Sequence, residues 1–181
     1  TSPDMILPTD LTPLTFAIIR REWACFEALL AAGADVNFCA RPAANSPLIL
    51  AAQGGCTLAV RSLLSRGALI EYANGIGMTA LRAATMTNSR GHDATVAELL
   101  PHGAAVDAGL NTTPLLSACQ FASAKTVEAL IRAGADVNRM TVLGSPLLRA
   151  ILPWHPRSAH SPRFGSCTRF AGHWATLTLS S

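Results

Sequence analysis

The chain has 181 residues, half of them apolar but only 6% aromatic, so its apolar content is mostly Ala and Leu and suits closely stacked helices better than a large sheet. The net charge of +3 is unevenly placed: residues 1–138 carry nine Lys/Arg and eleven Asp/Glu, whereas residues 139–181 carry five Arg and no acid, which argues against a nucleic-acid stripe along the main body. No apolar run is long enough to span a membrane, no signal peptide is legible in Thr1–Pro8, and five cysteines without a CxxC spacing fit a reducing interior, cytoplasmic or nuclear, better than a disulfide framework.

After a lead-in over residues 1–9, Thr12-Pro13-Leu14 predicts a helix start, with Thr as the cap and Pro in the first turn. Ala17 leaves room for a close helix contact, Leu29-Leu30 gives a second, antiparallel helix its apolar face, and Gly33 ends that helix in a left-handed turn. The tag Gly33-Ala34-Asp35-Val36-Asn37 then leads through a turn to the next cap. The set returns at Ser46-Pro47-Leu48 with Ala51, Leu63-Leu64 and Gly67. It returns again at Thr79-Ala80-Leu81 with Ala84, Leu99-Leu100 and Gly103, and at Thr113-Pro114-Leu115 with Ala118, Leu130-Ile131 and Gly134. A fifth start, Ser145-Pro146-Leu147 with Ala150, has no second helix behind it. The starts are 34, 33, 34 and 32 residues apart, which is the signature of a stacked array with repeats near 12, 46, 79, 113 and 145.

Copy three is the least regular. Ala80 replaces Pro, a loop Asn88–Asp93 is inserted, and Pro101 falls in the last turn of the second helix, where it should end that helix early. This copy is expected to be the weak point of the stack. From about Leu152 to residue 181 the pattern stops, leaving a basic, irregular tail expected to be disordered or loosely packed, or else the frameshifted or mis-spliced end of a longer array.

The five in-phase copies over residues 10–151 resemble the ankyrin repeat. The resemblance implies an all-α, ankyrin-type solenoid of helix-turn-helix units joined by hairpin loops. It also implies a concave groove, lined by hairpin tips and first helices, that binds other proteins, and no enzymatic activity. The chain departs from the family's pattern at the His after Thr-Pro-Leu, where Thr15, Ile49, Arg82, Leu116 and Leu148 stand, so the seams between repeats should be weaker or more apolar. The Gly-His between the two helices is replaced by Arg21-Glu22, Gly55-Cys56 and Ala122-Ser123. Asn37 and Asn138 lie in strings resembling sites of asparagine hydroxylation, although a turn-forming Asn accounts for both.

Other chemistry is weakly signalled. Gly75-Ile76-Gly77-Met78-Thr79-Ala80 matches a G-x-G-x-x-A string but has no strand before it, so no dinucleotide cofactor is expected. His155, His160, Cys167 and His173 have no tight paired-ligand spacing for zinc. His92 and Asp93 are adjacent in the inserted loop, with nothing to fix a nucleophile beside a base. No catalytic, cofactor or metal residue is therefore assigned. The groove positions of the resemblance give the candidate partner-binding set Gln53, Ile76, Met78, Met86, Leu110, Gln120, Phe121 and Val142, centred on an apolar stripe that suits an apolar helix or an extended peptide. The resulting expectation is a monomeric protein–protein interaction module. The alternatives are a structural or regulatory spacer of a larger ankyrin protein, and an enzyme or metal site in the tail.

Overall fold

The computed structural model describes residues 11–87, 91–109 and 112–141. The described residues hold four helix pairs: α1 (Pro13–Arg20) with α2 (Trp23–Ala31), α3 (Pro47–Gln53) with α4 (Thr57–Ser65), α5 (Ala80–Thr85) with α6 (His92–Leu99), and α7 (Pro114–Phe121) with α8 (Ala124–Arg132). Neighbouring first helices touch along the row α1, α3, α5, α7, and α4, α6 and α8 pack in a second row behind them. The lead-in 1–9, the fifth start at Ser145 and the tail with His155, His160, Cys167 and His173 lie outside the described residues.

The repeated residues do what their chemistry dictates. Thr12, Ser46, Thr79 and Thr113 each accept a hydrogen bond from the backbone N–H three residues on, satisfying a donor the helix leaves open. Thr79 does so although Ala80 has replaced the first-turn Pro. Ala17, Ala51, Ala84 and Ala118 are all buried, which lets the first helices approach closely. Gly33, Gly67, Gly103 and Gly134 follow the second helices with φ between 82° and 90°.

In the position left by the absent His, Ile49 and Leu116 are fully buried apolar side chains, Thr15 is nearly buried and hydrogen-bonded to Thr12, and Arg82 stands in copy three. Polar stapling occurs elsewhere, in the tag after each Gly. The Asn37 amide donates to the Gly67 carbonyl (3.1 Å) and accepts from the Leu69 N–H (2.8 Å). One repeat on, Glu71 accepts from the Ala105 N–H at 2.8 Å, and one further Asp107 accepts from the Asp136 N–H at 3.1 Å. The same tag position thus reaches forward to the next repeat three times, beyond the local turn expected of it. Asn37→Ala should lower unfolding free energy by about 1 kcal/mol, the net worth of the lost bonds, read from the urea midpoint at constant slope.

Copy three departs from the sequence expectation. His92 and Asp93 lie in the first turn of α6, with Gly91 (φ 97°) as its N-cap, and not in a loop. Gly91-His92 is the Gly-His pair of the repeat, displaced three residues by the insertion. His92 is 3% exposed, and its Nε2 lies 3.0 Å from the Gln53 carbonyl of the preceding repeat. A carbonyl only accepts, so Nε2 carries the proton of that bond. Asp93 reaches the other way, accepting from Ser123 Oγ (2.5 Å) and Thr126 Oγ1 (2.6 Å). Copy three is therefore tied to both neighbours. As Pro101 predicts, α6 stops at Leu99 and continues as a 3-10 turn over Leu100–His102.

Candidate functional site

The candidate face is made by the first helices and the hairpin before each of them. In α5, only Arg82 escapes full burial; Ala80, Leu81, Ala83, Ala84 and Thr85 are all buried, and Met86, the residue that caps the helix, is again partly open. Arg82 and Met86 are four apart and share one side of the helix. Gln53, Met86 and Gln120 occupy the same end of α3, α5 and α7, with Phe121 beside Gln120 and 48% exposed.

At the other end of α5 stands the hairpin Asn74–Met78. The Asn74 side-chain oxygen accepts from the N–H groups of Ile76 (3.1 Å) and Met78 (2.9 Å), and the Asn74 N–H donates to the Met78 carbonyl (3.1 Å). The Gly75 N–H donates to Ala43 of the preceding hairpin at 2.8 Å, and Asn74 donates to the Asn45 side chain at 2.6 Å, so the two hairpins are docked side by side. This closed turn sends Ile76 outward, 70% exposed.

Met78 corrects the candidate set. It is 8% exposed and belongs to the same core cluster as Ala80 and Ala83, because it directly precedes the Thr79 cap and turns in beneath the helix start. Of the other candidates, Ile76 and Phe121 remain as apolar surface, Met86 is half-buried against the core, Gln53 is exposed and Gln120 is partly buried. Leu110 and Val142 lie outside the described residues.

The electrostatics of the face centre on Arg82, which sequence reasoning treated only as a missing His. Its Nε is buried without a partner, and the sole hydrogen bond of its guanidinium among the described residues is a long one from Nη1 to the Gly77 carbonyl (3.5 Å). Burial lowers its pKa from the ordinary arginine value. Arg61, on the second-helix row, is the opposite case, with Nε and Nη2 both donating to Glu98 (3.1 and 2.7 Å). The bond from Arg61 holds the Glu98 carboxyl below its usual range; burial opposes this, and the charges of Arg61 and His102 add to the lowering. Arg82→Leu should raise unfolding free energy by about 1 kcal/mol, since an unpaired dehydrated donor is costly and Ile49 and Leu116 show that this row takes apolar side chains. A fall in the melting temperature would contradict this.

Residues 68–141 match the family model of ankyrin repeats, in three copies. Residues 68–141 carry ankyrin repeats. The match runs from the tag of copy two through copy four, and the helix pairs at Thr12 and Ser46 repeat the same ankyrin capping and packing upstream of it. No curated protein matches the chain. Ankyrin repeats are protein-interaction modules, and the family is typically non-enzymatic. Among the described residues, no helix is long and apolar enough to cross a membrane, and no group of three or more His, Cys, Asp or Glu is placed to hold a metal.

The helix stack also exposes its first layer. Ala59, Thr95 and Thr126, and likewise Leu63, Leu99 and Leu130, are buried at equivalent places in copies two to four. Their counterparts in copy one, Cys25 and Leu29, are exposed and half-buried, and with Phe16 (43% exposed) they line an apolar depression between α1 and α2. Cys56, in the turn between α3 and α4, is half-buried; burial pushes its thiol pKa up, and the nearby Arg21 offsets this only in part. It is not an activated nucleophile.

Proposed function

We propose that this chain is a non-enzymatic, intracellular module that binds one segment of another protein across its hairpin tips and first helices. The observation that supports this most directly is the pairing of a hydrogen-bonded, rigid hairpin with large apolar side chains left in solvent, Ile76 at the tip and Phe121 at the end of α7. Apolar anchors held on a fixed scaffold give affinity without a large ordering cost. Gln53 and Gln120 supply the polar edge that sets register. Selection of a random dodecapeptide display library on the purified chain tests the reading. Enriched peptides should bind the Ile76→Asp/Phe121→Asp variant at least tenfold more weakly while its circular dichroism and melting temperature hold. Equal binding to both proteins, or no enrichment at all, refutes it.

A spacer or structural role within a longer ankyrin array is a second reading, favoured by the exposed Phe16 and Cys25 and the half-buried Leu29 on the face that copies two to four each cover. Fusing one consensus ankyrin repeat in phase ahead of Thr12 should then raise the melting temperature. An unchanged value would remove this reading's support.

A further inference from the structure

We propose that Arg82 is the specificity contact of this face and receives a single carboxylate, from an Asp or Glu side chain or a chain terminus, on an otherwise apolar segment of the bound protein. The inference rests on the functional reading above and names the chemistry that reading leaves open.

Three observations carry it. First, the row that Arg82 occupies is otherwise closed: Thr15, Ile49 and Leu116 at the equivalent places are 4%, 0% and 0% exposed. A cation set into such a row stands out, because long charged side chains are seldom buried without a partner. Second, that partner is missing. Arg82 makes no ion pair with a described carboxylate, its Nε is buried and unsatisfied, and the 3.5 Å bond to Gly77 is at the limit of a useful hydrogen bond. Arg61 shows what a satisfied guanidinium looks like in this same protein, with two nitrogens on one carboxylate. Third, the place is right. Arg82 lies on α5 between Ile76 at the hairpin tip and Met86 at the helix end, on the only side of that helix that is not fully buried.

The surroundings select the anion. A nucleic acid or a polyphosphate needs several cations converging on it, whereas residues 1–138 carry more acid than base. One planar guanidinium flanked by apolar side chains matches one carboxylate flanked by apolar side chains. The charge is already partly dehydrated at Nε, so less water remains to be displaced when the anion arrives, and the pair forms in a setting less screened than open solvent.

The peptides selected above decide the matter. Enriched sequences should share one acidic residue between apolar ones, and binding to Arg82→Gln should be about ten- to fiftyfold weaker. This corresponds to a charge-assisted bond lost on one side. Changing the peptide's acid to its amide should cost the same on the wild-type chain and nothing further on Arg82→Gln, which is the mark of a direct pair. The amide peptide on the wild-type chain, together with the weakening of the acidic peptide as salt is raised, reads the contact without any protein variant. Peptides that lack an acid, or an acid-to-amide change that costs the same on both proteins, would overturn the proposal. If binding depends on Ile76 and Phe121 but not on Arg82, this inference alone fails. If it depends on none of the three, the reading of the face fails with it.

Discussion

Gly91→Ala should lower the unfolding free energy by about 3 kcal/mol or more, enough to broaden or split the transition of the array. Gly91 has a φ of 97°, outside the region that a side chain tolerates, and a Cβ built on it would stand 2.3 Å from the Gly55 carbonyl oxygen of the preceding repeat. The strained φ alone costs about 1–3 kcal/mol, and a backbone oxygen cannot rotate away from the added methyl. The clash also falls at the start of α6, next to the bond from His92 to Gln53, so relief by shifting α6 would sacrifice that bond. Gly33→Ala is the control. Its φ is 82°, but nothing lies within 4 Å of the added Cβ, so only the conformational strain of about 1 kcal/mol remains. Urea denaturation followed by circular dichroism separates the two. Equal losses at both sites would show that the close approach of Gly91 to Gly55 is not tight in solution.

Leu99→Ala should cost about 3 kcal/mol, within the usual range for a leucine cavity in a core that relaxes incompletely. Leu99 is fully buried at the end of α6, the helix that packs on α4, α5 and α8. In a stacked array each repeat is held by its neighbours, so damage in this middle layer weakens both seams. The same substitution at Leu29, the copy-one counterpart, should cost roughly 1 kcal/mol, because that side chain is only half-buried and loses less contact. If Leu29→Ala matched Leu99→Ala, a further layer would have to cover the first repeat in solution.

The layer order was legible because each repeated residue acts within its own turn of chain. Thr12, Ser46, Thr79 and Thr113 cap by reaching three residues, and the four tag glycines take φ values that other residues avoid. The candidate face was only partly legible. Ile76 and Met78 are two residues apart and equally apolar, yet one is 70% exposed and the other 8%. Their fates depend on how Asn74 closes the hairpin. Asp93 looked like a stray acid beside a histidine, and its partners Ser123 and Thr126 lie about a repeat away. The one signal that could have found Arg82 was its register, a cation in a column otherwise filled by Thr15, Ile49 and Leu116.

By itself the sequence determined the period, the caps, the helix ends and the all-α layering, since these follow from interactions within a few residues. Only the tertiary structure decided which equivalent side chains are core and which are surface. Leu29 and Leu99 hold the same place in their repeats, but burial comes from the neighbouring layer, and Leu29 has no described layer against it. It also decided that Arg82, in that column of closed side chains, has its Nε buried without a partner, because the charge of a residue is local whereas its pairing depends on what the stack brings within reach.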